Sequence, residues 1–146
     1  MNVKIKKLTE TATIPTKGTE YSAGYDLYAD IDKPIMFLPG TMTILGTGIS
    51  LEIPKGYFGA VFPRSGIATK KGLRLINCVG IIDSDYRGEI KVALINDHPT
   101  NAAIVESQER IAQLIILPYP EIEFDVVEEL TETDRGDGGF GSTGTN

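Results

Sequence analysis

Short runs in which apolar residues alternate with polar ones recur along the chain, and they constrain its fold more than any other feature. A period of two is typical of strands with one buried face. Turn signals of glycine and proline separate many of the runs. The runs cover residues 3–8, 25–29, 35–38, 41–45, 49–53, 57–62, 89–96, 110–117 and 122–127. Many short strands joined by such turns predict an all-β sandwich, jelly roll or barrel.

One short helix is expected among these strands. After Pro63, the residues Arg64, Ser65 and Gly66 lead into the sequence IATKK, and Gly72 then supplies a stop signal. This pattern predicts about two turns of helix.

The chain length and the last residues predict one domain followed by a tail. A chain of 146 residues has the size of a single domain, which buries roughly 70% of its unfolded surface. The end of the chain is rich in glycine and follows the acidic stretch EELTETD, so it gains too little by burial to order itself. We therefore predict one β domain over residues 1–130 and a C-terminal arm over residues 131–146.

Charge and cysteine content narrow the class of partner. The net charge is −6, which argues against nucleic-acid binding, because that requires a basic surface to replace condensed counterions. An anionic ligand would need a local cluster of donors.

The sequence shows no signal peptide and no run long enough to cross a bilayer, so we expect no membrane contact. Cys78 is the only cysteine, which predicts a soluble protein of the reducing cytoplasm.

The stretch FPRSGIA, over residues 62–68, has the features of an anion site. A strand ends near Arg64, and Ser65 and Gly66 then open the helix, whose free N–H groups and positive dipole end favour negative charge. Arginine can also bind a phosphate in a bidentate manner. The alternative is that Ser65 only caps the helix and that Arg64 is a surface residue.

The stretch NCVGIIDSDYRGEI, over residues 77–90, predicts an apolar strand, a tight turn and a second strand. Asp83 follows several apolar positions, so we expect it where the chain leaves the core, partly shielded, where a carboxylate can polarise a water molecule. Asp85 lies in the turn itself and is expected to be solvated. The alternative is that these aspartates only cap backbone N–H groups.

Two further polar residues interrupt apolar strands. In AGYDLYA, over residues 23–29, Asp26 and Tyr28 share one face of a strand, which would suit a subunit contact or the edge of a site. In ERIAQLIIL, over residues 109–117, Gln113 breaks an apolar strand, which predicts a buried hydrogen-bond partner. A satisfied core amide is the alternative for Gln113.

Several common catalytic arrangements are absent from the sequence. It contains no Cys/His zinc set, no G-x-x-x-x-G-K-[ST] loop, no G-x-G-x-x-G after a strand and no Ser-His-Asp pattern. The only histidine, His98, lies in the loop sequence NDHPTN. An enzyme built on this chain would therefore use a carboxylate as its base and receive any cation largely with its substrate.

Taken together and in this order, AGYDLYA, PRSGIA, NCVGIIDSDYRG, RIAQL and RGDGGFGSTG resemble the five motifs of the homotrimeric dUTPases. The resemblance runs from Ala23 to Gly144. It implies a jelly-roll-like all-β fold with one short helix, assembled as a homotrimer whose sites are shared between subunits. It also implies hydrolysis of dUTP to dUMP and pyrophosphate with Mg²⁺, which keeps uracil out of DNA and supplies dUMP for dTMP synthesis. One departure is Gln108, before RIAQL, where the family often has glycine.

The resemblance implies a role for each residue of the hairpin. Asp83 would orient the water that attacks the α-phosphorus, and Tyr86 would pack against the deoxyribose and exclude a 2′-hydroxyl. Asn77 and the backbone at Gly80 and Ile82 would read the uracil edge. A tight hairpin of this kind would also exclude cytosine and thymine.

The resemblance implies that a second group of residues lies near the phosphates. Arg64, Ser65 and Gly66 would hold phosphate oxygens, and Gln113 would lie in the same neighbourhood. Asp26 would be linked to the metal through water or would belong to the frame of the site.

The C-terminal arm would close over the bound nucleotide. By resemblance, Arg135 would reach the γ-phosphate, Phe140 would stack on the base, and Ser142 and Thr143 would add phosphate contacts. Gly141 and the other glycines would let the backbone wrap closely around the triphosphate. Closure would exclude water from the site.

Three other interpretations compete with this one. The first is a dCTP deaminase of the same fold. By resemblance, such an enzyme would use a glutamate base near C4 of the pyrimidine, and VGIIDSDYRG contains no glutamate. Regulatory relatives of dUTPases that bind a protein partner often carry an inserted segment, for which there is no room between PRSGIA and RIAQL. A trimeric β-sandwich that only binds a ligand gives no account of the arm.

Overall fold

The structure is a computed structural model and describes residues 1–139 of the chain. These residues form twelve strands and a single helix, α1 (Ser65–Lys71). The strands are β1 (Lys4–Lys7), β2 (Thr16–Lys17), β3 (Tyr25–Tyr28), β4 (Ile35–Phe37), β5 (Met42–Gly46), β6 (Ile49–Glu52), β7 (Tyr57–Phe62), β8 (Leu73–Leu75), β9 (Gly80–Ile82), β10 (Lys91–Asn96), β11 (Ala103–Val105) and β12 (Arg110–Pro118).

The strands pair into four antiparallel sheets. The largest has five strands in the order β2-β3-β12-β7-β9, and a second has the order β5-β10-β8. The strands β1 and β6 form one pair, and β4 and β11 form another. The strand β7 lies between β12 and β9, with Gln113 opposite Phe62 on one side and Gly80 opposite Val61 on the other. The strand β7 therefore lies between the strands that carry the two groups of candidate site residues.

The inward residues of these sheets form one apolar core, as the period of two predicts. In β10, for example, Val92, Leu94 and Asn96 are buried, whereas Ala93 and Ile95 between them are only half-buried. Asn96 is fully buried and donates hydrogen bonds to the carbonyl oxygens of residues 37 and 101. Its polar side chain is therefore satisfied within the core.

Eight of the nine predicted runs contain a strand, and the prediction for residues 122–127 is wrong. In that run the alternating side chains of Ile122, Phe124 and Val126 are 66%, 89% and 95% exposed. An alternating pattern forms a strand only where a neighbouring strand and a core accept it, and the described residues offer neither here. From Glu121 to residue 139 the chain has no helix or strand.

The predicted helix is confirmed. Arg64 is its N-cap residue, and no side chain caps its first turn. Gly72 ends it in the left-handed conformation, with φ at 67°, which glycine adopts without a steric penalty. Lys71, in the last turn, donates to the carbonyl of Ile104 at 2.6 Å and to a carboxylate oxygen of Glu109 at 2.7 Å. These contacts fix the helix against the turn that precedes β12.

Within residues 1–139, no helix is both long enough and apolar enough to cross a membrane.

Candidate active site

A cavity of about 380 Å³ lies beside β9. Asn77, Gly80, Ile82, Asp83 and Tyr86 all line it. These are the five residues that the sequence assigned to the base, the sugar and the attacking water. We call this space the β9 cavity.

The β9 cavity is completed by residues that the sequence did not single out. Ile44 of β5 and two residues of β10 form one side of the space. The full set of additional lining residues is Ile44, Val61, Leu75, Ile81, Glu89, Lys91 and Ala93. The alternation along β10 contained a signal for two of them, because Lys91 and Ala93 point away from the core.

The hairpin predicted over residues 77–90 is not formed among the described residues, because β9 pairs only with β7 and no strand follows it before β10. The turn that leads into β9 is tight. Cys78 adopts a left-handed backbone with φ at 61°, and the N–H of Val79 donates to the carbonyl of Asn77 at 2.6 Å. At Gly80 the chain passes close to β7, since a β-carbon built there would lie 3.3 Å from Cβ of Val61. The turn therefore brings the backbone of β9 directly to the cavity.

Asp83 follows the last residue of β9, as predicted, but it is exposed and not partly shielded. The reason is that β9 is an edge strand of the described sheet, so nothing covers its outer side.

Asp83 also lines a second cavity, together with Glu52 and Arg87. A hydrogen bond from Lys4, at 2.7 Å, lowers the pKa of Glu52 below its ordinary value. Asp85 is exposed, as expected.

Tyr86 has a fixed orientation although it is 45% exposed. Its backbone N–H donates to the carbonyl of Asp83 at 3.1 Å. Its hydroxyl donates to the carbonyl of Glu89, also at 3.1 Å. The ring is therefore held at both ends beside the cavity.

A charged group lies just beyond the end of β7 at Phe62, on the side of β12, and we call it the arginine cluster. It consists of Asp26, Arg64 and Arg110. Arg64 contacts one carboxylate oxygen of Asp26 at 2.6 Å, and Arg110 donates to the other at 3.2 Å. Arg64 also donates to the backbone carbonyl of Arg110, at 3.3 Å. Two guanidinium groups on one carboxylate leave a net charge of about +1, which favours an anion.

Arg110 was not predicted as a partner of Asp26. The two residues are 84 positions apart and meet because β12 pairs with β3. The signal in the sequence was a charge match: RIAQL begins with an arginine, and AGYDLYA contains one acidic residue.

Gln113 has the hydrogen-bond partner that its position predicted. Its amide donates to the carbonyl of Pro63 at 3.0 Å, directly before Arg64. Gly24 makes room for this side chain, because a β-carbon there would lie 2.6 Å from Oε1 of Gln113. Ser65 is exposed at the start of α1 beside Arg64, and a β-carbon on Gly66 would meet nothing within 4 Å.

The two groups do not meet in one chain. The residues lining the β9 cavity include none from the arginine cluster and none of Ser65, Gly66 or Gln113. The two groups lie on opposite sides of β7, next to β9 and β12 respectively.

Arg135 is the one implied arm contact among the described residues. It is exposed, and its Nε donates to the carbonyl of Gly138 at 2.9 Å. Four other predicted contacts lie outside residues 1–139. They are Phe140, Gly141, Ser142 and Thr143.

The described part of the chain contains no group of three or more histidine, cysteine, aspartate or glutamate residues that could hold a metal ion. Asp26, the one residue implied near a metal, uses both carboxylate oxygens for arginines. The described residues therefore do not form a protein cage for Mg²⁺.

A model of the dUTPase family matches residues 10–144 of the chain. The chain belongs to the dUTPase family. The deoxyuridine 5′-triphosphate nucleotidohydrolase of Nautilia profundicola is 49% identical over 144 residues, which cover 99% of each chain. The enzyme of the same name from Syntrophotalea carbinolica is 46% identical over 144 residues, which cover 99% of this chain and 97% of that enzyme.

A solved structure in this family shares the fold. It is the dUTPase of Staphylococcus bacteriophage 80alpha with dUPNHPP, which superimposes with a TM-score of 0.88 over 99% of both chains at 28% identity. The prediction of an all-β dUTPase fold with one short helix is confirmed.

Proposed function

We propose that this chain hydrolyses dUTP to dUMP and pyrophosphate. The observation that carries the proposal is that Asn77, Gly80, Ile82, Asp83 and Tyr86 line one cavity. Its volume of about 380 Å³ lies in the range of small-molecule sites, roughly 300–1,000 Å³. The names of the relatives, and the nucleotide analogue in the phage dUTPase, support dUTP as the ligand.

The base binds at the edge of β9. In the described residues β9 pairs only with β7, so its outer backbone groups are free to form hydrogen bonds with a ligand. Gly80 and Ile82 offer these groups, and Asn77 offers a side-chain amide. The ring of Tyr86 packs against the deoxyribose and leaves no room for a 2′-hydroxyl.

Asp83 is the general base. Its carboxylate accepts a proton from water while the water oxygen forms a bond to the α-phosphorus. The bond from that phosphorus to the bridging oxygen breaks, and pyrophosphate leaves. A positioned base of this kind contributes typically about 10²–10⁴ in rate.

The phosphates bind at the arginine cluster, with Ser65, Gly66 and Gln113 beside it. Asp26 accepts from Arg64 at 2.6 Å and so orients the guanidinium, while the net positive charge remains for the ligand. Because this group lies apart from the β9 cavity in one chain, we place the two halves of each site on different copies of a homotrimer.

Exposed apolar surface supports this assembly. Phe124 and Val126 are 89% and 95% exposed, and Met42 and Ile44 on β5 are 45% and 59% exposed. Apolar residues that alternate without a partner are suited to pairing with another copy. This surface offers a second copy of the chain an apolar face to cover, which supports a homotrimer with sites shared between subunits.

The C-terminal arm, residues 131–146, completes the site. Arg135 contacts the γ-phosphate, and Phe140 stacks on the base, which is worth about 1–3 kcal/mol. Gly141, Ser142 and Thr143 follow the phosphates. These contacts offset the entropy of ordering the arm.

Magnesium arrives with the substrate as the triphosphate complex. Mg²⁺ commonly binds through substrate phosphates and water with few protein carboxylates. A link from Asp26 to the metal through water stays a prediction. Cys78 is exposed and unpaired, which suits the reducing cytoplasm.

A substrate panel tests the proposed function. The protein is incubated with each common dNTP and with UTP, in the presence of Mg²⁺, and pyrophosphate is measured. We expect release from dUTP alone. Equal turnover of dCTP, dTTP or UTP contradicts the proposed selectivity, and ammonia release from dCTP points to a deaminase.

A further inference from the structure

We infer that Gly88 determines selectivity for deoxyribose by allowing the ring of Tyr86 to lie against the backbone at residue 88. This inference rests on the proposed role of Tyr86 at the sugar. Gly88 itself lies outside the lining of the β9 cavity. It acts as a positioning residue through Tyr86.

The ring of Tyr86 occupies the space that a side chain at residue 88 would take. A β-carbon built on Gly88 lies 2.5 Å from Cζ and 3.0 Å from Cε2 of Tyr86, and closer still to the hydroxyl oxygen. Real β-carbons essentially never come within 3.0 Å of another heavy atom in this way. Any side chain at residue 88 therefore displaces the ring.

The backbone conformation does not explain the glycine. The described glycines with left-handed φ are Gly40, Gly48, Gly56, Gly72 and Gly136, and Gly88 is not among them. Alanine is therefore compatible with the backbone at residue 88. The ring of the tyrosine is the obstacle.

The backbone around Gly88 is fixed, so it cannot move away from a new side chain. Ser50 donates to the carbonyl of Arg87 at 2.7 Å, and Arg87 donates to the carbonyl of Ser84 at 2.7 Å. On the other side, the N–H of Ile90 donates to the carbonyl of Ile49 at 2.9 Å. The side chain of Tyr86 is the part that moves.

Displacement of the ring has a direct consequence for the sugar. The hydroxyl of Tyr86 loses its hydrogen bond to Glu89, which is 3.1 Å long, and the ring leaves its present place beside the cavity. A 2′-hydroxyl is then no longer excluded. The variant Gly88→Ala should accept UTP better relative to dUTP than the parent does.

The test compares the ratio of kcat/KM for dUTP to that for UTP. We expect Gly88→Ala to lower this ratio about tenfold or more, the scale of steric discrimination in a pocket. The matched control is Gly18→Ala, because a β-carbon there makes only an ordinary contact, 3.6 Å from Ser22. An unchanged ratio in Gly88→Ala contradicts the inference.

A double-mutant cycle with Tyr86→Ala separates a role through Tyr86 from any other. In the Tyr86→Ala background, Gly88→Ala should change the ratio no further, because the ring is already gone. A further, additive loss shows that Gly88 acts elsewhere and contradicts the inference.

The same cycle covers a variant that does not fold. If Gly88→Ala unfolds, the double variant should fold again, because Tyr86→Ala removes the obstacle; a double variant that stays unfolded contradicts the inference.

The parent protein is assayed for dUTP hydrolysis before any variant. A parent that fails to hydrolyse dUTP overturns the proposed function and this inference with it, whereas an active, selective parent with an unchanged Gly88→Ala overturns the inference alone.

Discussion

The β9 cavity and the arginine cluster lie on opposite sides of β7 and differ in how far the chain satisfies their charges. In the cavity, Asp83 is exposed, and its carboxylate has no hydrogen-bond or ion-pair partner among residues 1–139. In the cluster, Asp26 is only 8% exposed, and both of its oxygens contact arginines. The cavity is therefore open, whereas the cluster is already a fixed part of the fold.

This difference separates the contributions of the two regions. A residue without partners can be changed at little cost to stability, so the cavity is free to serve chemistry and selectivity. The buried carboxylate of Asp26 orients Arg64, and removing either arginine leaves that carboxylate short of a partner, which destabilises the fold. Substitution of the unpartnered Asp83 should therefore change turnover and leave stability unchanged, whereas substitutions in the cluster should change both binding and stability.

The largest effect is expected for Asp83→Asn. Turnover should fall by on the order of 10² or more, because the base is lost while the shape of the side chain is kept. The melting temperature should stay the same, since the side chain of Asp83 has no hydrogen-bond or ion-pair partner among residues 1–139. Pyrophosphate release and thermal unfolding measure the two quantities.

Asp85→Asn is the matched control for this prediction. Asp85 lies two residues further along the same turn and is exposed as well. Its substitution should leave turnover within a few-fold of the parent. Equal losses in both variants would mean that the charge of the turn matters and that Asp83 has no special role.

Arg64→Ala should have the next largest effect, and it should alter two quantities together. The value of kcat/KM should fall about tenfold or more, the scale of a charge-assisted hydrogen bond. Stability should fall by about 1–3 kcal/mol, because Asp26 stays buried with one partner fewer. Kinetics and denaturant unfolding check the two effects.

The control for Arg64 is Arg74→Ala. Arg74 forms an ion pair with Asp97, but both side chains are close to half exposed, and exposed pairs contribute about 1 kcal/mol or less. A loss of stability in Arg64→Ala no larger than that in the control would contradict the structural role of the cluster.

The smallest effect concerns Gln108, in the turn that leads into Arg110. Its φ is 60°, which costs about 1 kcal/mol for a residue other than glycine. Its side chain offsets this cost by donating to the carbonyl of Thr11 at 3.0 Å and accepting from Thr13. This geometry explains why glycine suits the position in the family pattern and why glutamine is tolerated here.

Two substitutions divide these contributions. Gln108→Ala keeps the strained backbone and loses the hydrogen bonds, so it should destabilise the fold by about 1–2 kcal/mol. Gln108→Gly relieves the strain and should lie about 1 kcal/mol closer to the parent. Turnover should stay unchanged in both. Equal melting temperatures for the two variants would show that φ at residue 108 carries no cost.

The sequence predicted the long strands well, but the expected hairpin is absent, since β9 pairs only with β7 among the described residues. Burial alternates over the six residues of β10, and β12 is a largely apolar run of nine; these lengths make both patterns specific. The strands β2, β8 and β11 contain only two or three residues and were missed, whereas β4 is equally short but lies in the wholly apolar run at 35–38. The run at 122–127 was misassigned because its alternation has no partner in the described chain.

The site was predictable where it is local in sequence. Asn77 to Tyr86 lie within ten consecutive residues that enter and leave β9, so their neighbourhood follows from their short distance along the chain. The pairing of Asp26 with Arg110 was not predictable, because it depends on the register of β12 against β3. The exposure of Asp83 depends on which strand forms the edge of the sheet, and alternation does not contain that information.

Mixing two impaired variants tests the central claim, that each site combines the β9 cavity of one copy with the arginine cluster of another. Asp83→Ala and Arg64→Ala are produced with different tags, refolded together and isolated as verified mixed trimers. We predict that activity returns in the mixture, because an intact cavity from the Arg64→Ala chain meets an intact cluster from the Asp83→Ala chain. Mixed trimers no more active than the two separate variants would contradict the claim and place both halves of the site in one chain.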